Sequence, residues 1–151
     1  MLDLRAQYAS IREEILAAIE SVLNAQQFIL GPQVKALEEE LAQFCGSRFG
    51  VGVASGTDAL LLALHAVGVR QGDEVIVPAF SYIATADTIT LLGARPVFVD
   101  ILPDTFNLDT AQLELRMTPR TSAIVPVHLY GQPADMDPIL EIARRRGIPV
   151  V

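Results

Sequence analysis

Residues 49–64 read FGVGVASGTDALLLAL. A short apolar run, 50–54, suits a strand. It leads into Ser55-Gly56-Thr57-Asp58, and an apolar helix begins at once. The first turn of a helix has backbone N–H groups without intrahelical partners, and it carries the positive end of the dipole. Glycine lets an anion come close to that backbone, and Ser, Thr and Asp side chains cap it or donate to the ligand. The segment therefore reads as a socket for a phosphate or carboxylate.

Upstream of this stretch the pattern is helical. Between residues 8 and 23 the apolar positions are Ile11, Ile15, Leu16, Ile19 and Leu23, a helical spacing. Phe28-Ile29-Leu30-Gly31-Pro32 breaks the pattern, and Pro32 can open a second helix over 33–44. Downstream the rhythm alternates. Strands are expected at 50–54, 74–78, 96–100, 122–127 and 148–151, and helices at 57–67, 82–92, 109–116 and 135–146. That alternation predicts an α/β fold: a mostly parallel sheet with helices on both faces. The division expected is an N-terminal helical segment, 1–48, and an α/β region, 49–151. The chain stops just where the loop after its last strand should begin, so a fragment of a longer protein is expected.

Bulk composition narrows the function classes. The chain has 151 residues, 51% hydrophobic and 19% charged, as befits a globular domain. A net charge of −7 argues against nucleic-acid binding. The one basic run, Arg144-Arg145-Arg146, sits where cations complement a helix C-terminus. Cys45 is the single cysteine, so no internal disulfide can form and a reducing compartment is expected. No apolar run reaches the ~18 residues of a membrane span. The expectation is a soluble, cytoplasmic protein.

Several constellations could carry chemistry. Pro78-Ala79-Phe80-Ser81-Tyr82 follows a strand, and an aromatic there can stack on a flat heterocycle or simply close the core. His128, in Pro126-Val127-His128-Leu129-Tyr130-Gly131, could act as acid or base or touch the edge of a ligand; the reading favours a satisfied, partly buried histidine. His65 lies in an apolar helix and reads as structural. Asp100 and Asp104 read as strand-end and turn residues, and Asn107 and Asp109 as helix caps, rather than as a metal set. Gly50, Gly52 and Gly56 do not match G-x-G-x-x-G, and Asp73 and Glu74 stand at the wrong end of the next strand to hold a ribose. Gly50 and Gly52 read as strand glycines against a close-packed helix. Lys35, the one lysine, is spaced i, i+4 from Glu39 on an amphipathic helix, which suits a solvated pair better than a catalytic amine.

Taken in order, Leu2-Asp3-Leu4-x-x-Gln7-Tyr8, Phe28-Ile29-Leu30-Gly31-Pro32, Ser55-Gly56-Thr57-Asp58-Ala59-Leu60, Gly72-Asp73-Glu74-Val75-Ile76-Val77-Pro78, Pro96-Val97-Phe98-Val99-Asp100 and the His128 motif resemble the sugar aminotransferases of the DegT/DnrJ/EryC1/StrS group. The resemblance covers essentially the whole chain. It implies a pyridoxal 5′-phosphate (PLP) enzyme with the aspartate-aminotransferase-like transferase fold (fold type I), here truncated. Such enzymes move an amino group, usually from glutamate, to a keto group on a nucleotide-linked sugar, and act as homodimers. By position, Gly56 and Thr57 match residues that hold the cofactor phosphate, and Tyr82 matches the aromatic that stacks on the pyridine ring.

Three family residues find no match in this sequence: the acid that pairs with the ring nitrogen, expected just past Val151, a phosphate-binding serine and the Schiff-base lysine. The chain alone is therefore expected to be inactive, as roughly the first two-fifths of such an enzyme. Alternatives are a PLP-dependent sugar dehydratase of the same fold, a catalytically dead fragment or binding module, and an NAD-binding domain.

Overall fold

The computed structural model describes residues 3–151, which form two compact units divided after Gly52. In the first unit, helix α1 (Leu4–Ala25) starts at Asp3, whose carboxylate accepts from the N–H groups of Arg5 and Ala6, both at 3.0 Å. It ends at Gln26 in the left-handed conformation. Helix α2 (Pro32–Phe44) opens on proline, which lacks the N–H that a first-turn residue would leave unpaired. Both expected helices are present. No residue of α1 is buried, and α2 buries only Ala42.

The expected strand at 50–54 is absent, a correction with a physical cause. A strand needs a neighbour to satisfy its backbone, and among the described residues none pairs with this segment. The Gly52 N–H instead donates to Glu38 Oε1 at 2.6 Å, and Val51 is left 79% exposed. The close approach to a helix is as expected: a Cβ added at Gly50 would lie 2.5 Å from the Glu38 carbonyl oxygen. Gly50→Ala should therefore destabilise the first unit by about 1–3 kcal/mol, the usual cost of forcing atoms into packed backbone. Faster amide hydrogen exchange over α2 and residues 50–52 would show it; unchanged exchange would mean that the segment yields freely.

The second unit is built on a parallel sheet of strands β1 (Glu74–Pro78), β2 (Arg95–Val99) and β3 (Thr121–Ile124), in the order β2-β1-β3. The last expected strand, 148–151, is reduced to a parallel bridge from Val150 to Ile124 on the outer side of β3. All five residues of the central strand β1 are buried. Alternate β1 side chains face opposite ways, and each face has its own core. Ile76 joins Val99, Leu108, Ile124 and Ile139 on one face, and Val75 and Val77 join Leu64, Ile89 and Val125 on the other.

Four helices cover these faces. Helices α3 (Gly56–Ala66) and α4 (Ala84–Leu91) bury Leu64 and Ile89 in the second cluster. Helices α5 (Leu113–Arg116) and α6 (Met136–Arg146) bury Leu113, Ile139 and Ile142 in the first. The expected helix at 109–116 is broken into a 3-10 turn, Thr110–Gln112, followed by α5. Helix α6 stops at Gly147, whose φ of +67° is a conformation glycine takes without strain. Arg144, Arg145 and Arg146 occupy its last turn as expected, and Arg145 and Arg146 pair with Glu114 at 3.3 and 3.5 Å.

At the amino end of the sheet a carboxylate is sealed in. Glu74 is 0% exposed. Its Oε1 accepts from Arg95 at 2.5 Å and Arg120 at 2.6 Å, and its Oε2 accepts from the Thr118 hydroxyl at 2.7 Å. The hydrogen bond from Thr118 and those from the two guanidiniums outweigh burial and lower its pKa to about 2. Arg95 begins β2 and Arg120 immediately precedes β3, so this one side chain ties together the starts of all three strands.

Candidate functional site

The course of the chain fixes where a ligand can sit. From β1 the chain passes through α4 to β2 on one side; from β3 it passes through α6 to the Val150 bridge on the other. The α4 and α6 crossovers cover opposite faces, as a single crossover hand requires when the direction of travel reverses. The carboxyl ends of β1 and β3 therefore flank a topological switch point, where open α/β sheets form a ligand crevice. The loop after β1 carries Tyr82, and the loop after β3 carries His128 and Tyr130.

Tyr82 lies two residues before α4, in the loop rather than in the helix expected from residue 82 onward. Its carbonyl accepts from the Thr85 N–H at 3.2 Å, which anchors the loop, while the residue is 77% exposed. A cavity of about 190 Å³ beside it is lined by residues that include Val77, Pro78, Ser81, Thr85 and Phe98. Gly56 and Thr57 lie outside that lining. Behind the loop, the Phe80 ring meets Phe106 with centroids 6.0 Å apart, bracing the β1 loop against the one after β2.

Gly56 and Thr57 are the first two residues of α3, and both are exposed. Ser55 is the N-cap: its Oγ accepts from the Asp58 N–H at 3.1 Å and donates to the Asp58 carboxylate at 2.9 Å. The cap thus occupies the acid of the first turn as well as one backbone donor. Among the described residues no acceptor meets the N–H of Gly56 or Thr57. A Cβ added at Gly56 would meet nothing within 4 Å. Two free donors, open space and a dipole end suit an anionic group. Helices α3 and α4 pack against one another, so the socket and the tyrosine loop belong to neighbouring elements.

His128 is hydrogen-bonded as the sequence reading favours, but it is exposed rather than partly buried. Its Nδ1 accepts from the Ala134 N–H at 2.9 Å. Asp109 caps as expected, accepting from the Ala111 N–H at 3.1 Å, and Asp104 accepts from the Thr105 N–H at 3.0 Å in its turn. Asn107 is a correction. It is 4% exposed and caps no helix; its amide reaches across to the loop after β3, bonding Leu129, Gln132 and Pro133. A residue 22 or more positions away in sequence leaves no local signal of that role. Lys35 pairs with Glu39 at 3.8 Å on the surface of α2, as its spacing implied.

The family profile described as the DegT/DnrJ/EryC1/StrS aminotransferase family matches residues 9–151. The UDP-2-acetamido-2-deoxy-3-oxo-D-glucuronate aminotransferase of Pseudomonas aeruginosa is 54% identical over 150 residues, 99% of this chain and 42% of that protein. The crystal structure of S. venezuelae DesV in complex with a ketimine intermediate matches with a TM-score of 0.94 at 47% identity, covering 98% of this chain and 40% of that one. The E. coli GDP-4-keto-6-deoxy-D-mannose-3-dehydratase with bound hydrated PLP matches with a TM-score of 0.83 at 38% identity, over 89% of this chain and 36% of that one. This chain thus spans about two-fifths of the length of the curated relatives it matches. Its fold is the N-terminal part of the PLP-dependent transferase fold that the motifs implied. With its parallel sheet and a family match over 143 of 151 residues (9–151), the chain belongs to the DegT/DnrJ/EryC1/StrS aminotransferase family.

Proposed function

We propose that these residues form the cofactor cradle of a PLP-dependent enzyme that transfers an amino group from glutamate to a nucleotide-linked keto sugar. The observation that carries the reading is the pair of free N–H groups at Gly56 and Thr57, on a helix packed beside the one that Tyr82 precedes at the switch point. Gly56 and Thr57 hold the phosphate through backbone N–H groups and the Thr57 hydroxyl. Tyr82 would supply the aromatic face for the cofactor's flat heterocycle. When bound, PLP supplies the electron sink that amino-group transfer needs. This chain supplies binding and orientation only; none of its residues matches the family's Schiff-base lysine, and alone it is inactive. The full-length enzyme acts as a homodimer in the cytoplasm, in keeping with the family resemblance and the lone cysteine.

A second reading keeps the cofactor and changes the reaction. The likeness to the E. coli dehydratase, at 38% identity, favours it. One experiment separates the readings. The full-length protein is titrated with PLP while its visible absorbance is followed, then given glutamate and UDP- or dTDP-linked keto sugars. Saturable PLP binding and an amino-sugar product support the first reading. A deoxy-sugar product without nitrogen supports the second. Saturable NAD binding with no PLP signal overturns both.

A further inference from the structure

The loop after β3 is held in shape by side chains whose bonds cross it. Asn107 Nδ2 donates to the carbonyl oxygens of Gln132 and Pro133, both at 3.0 Å, and Oδ1 accepts from the Leu129 N–H at 3.2 Å. The partners fix the orientation of the amide, because carbonyls only accept and an N–H only donates. From the other end, the Ala134 N–H donates to His128 Nδ1 at 2.9 Å. Between these ties the backbone turns through left-handed conformations at Tyr130, φ +54°, and Gly131, φ +83°. A tyrosine takes that conformation at a cost. Its side chain is 88% exposed, so packing does not impose it. The ties do.

By the topology, this loop leaves the carboxyl end of β3 and the Tyr82 loop leaves that of β1, on either side of the switch point. We infer that Asn107 is a positioning residue: its buried amide presets the loop after β3 as the wall facing the Tyr82 loop, and so preorganises the crevice for the cofactor. The inference rests on the function proposed above. A purely structural amide would affect stability alone; a positioning amide also governs how well the folded protein takes its ligand.

The test uses the full-length protein and the variants Asn107→Asp, Asn107→Ala, His128→Ala and His128→Asn. Asp keeps one acceptor for Leu129 and turns its second oxygen on two carbonyls. In the cofactor-free protein, amide hydrogen exchange over residues 129–134 should quicken at least tenfold in both Asn107 variants. The PLP dissociation constant of the folded protein should rise about tenfold. His128→Ala loosens the exposed end of the loop without touching the core and should weaken PLP several-fold; His128→Asn returns an acceptor and should restore it. If wild-type protein binds no PLP, the function proposed above fails, and this inference with it. If wild-type protein binds PLP and the folded variants bind it equally well, the inference alone is overturned.

Discussion

Replacing Arg95 and Arg120 together by methionine will cost the second unit about 3 kcal/mol, near the lower end of what breaking a buried ion pair costs. The loss comes from the charge left behind. Glu74 is sealed at the sheet's amino end, and without the guanidiniums only the Thr118 hydroxyl answers its carboxylate. The lower end applies because the arginine side chains are 64% and 66% exposed and have given up little hydration. The pH dependence follows with its sign. The native pKa, about 2, lies below the ordinary 4.5, so the unfolded chain binds the proton more readily. The contribution of Glu74 is fully present above about 4.5 and is lost as pH falls through about 2. Urea unfolding between these limits should show stability declining with acid in the native protein, and Glu74→Gln should flatten that part of the profile. A Glu74→Gln profile that overlays the native one would refute the tie.

Thr57→Asp should weaken PLP binding by the full-length protein about 100-fold while leaving the fold as stable or slightly more so. A carboxylate in the first turn of α3 favours the helix dipole by roughly 0.3–1 kcal/mol. The same charge repels a phosphate and removes a hydroxyl donor, and a hydrogen bond to a charged group is worth about 1.5–3 kcal/mol. Opposite signs for stability and affinity distinguish a ligand contact from a structural one. Tyr82→Ala complements it. The residue is 77% exposed, so its loss should change stability by no more than about 0.5 kcal/mol. PLP affinity should fall up to tenfold, the equivalent of the ~0.5–1.5 kcal/mol of an aromatic stack. Undiminished affinity in both variants would move the cofactor away from this corner.

What could be read from the residues was what is local. Caps, turn residues and helical spacing placed α1, α2, α3 and α6 within a few positions, because each signal lies within a turn of the element it starts or stops. The helix start at Ser55-Gly56-Thr57 was legible for the same reason. Strand 50–54 was misread because a strand depends on its neighbour, and no composition of valine and glycine reports whether that neighbour is there. The order β2-β1-β3 was not legible, and with it went the switch point, since direction of travel is not encoded in any window. Asn107 reads as a cap because asparagine just before a helix suits one. Its true partners, Leu129, Gln132 and Pro133, are brought to it only by the completed sheet. Glu74 reads in sequence only as an acid at the wrong end for a ribose; the arginines that explain it come 21 and 46 residues later.

A single melting temperature will not describe this polypeptide. With Gly31 and Ala42 its only buried residues among those described, the first unit has almost no core to lose at once. Helices without tertiary support unwind gradually. The sheet, closed on both faces, should instead give way in one sharp step. Heating should therefore bleed away ellipticity over a broad range first and end in a sigmoid that belongs to residues 53–151 alone.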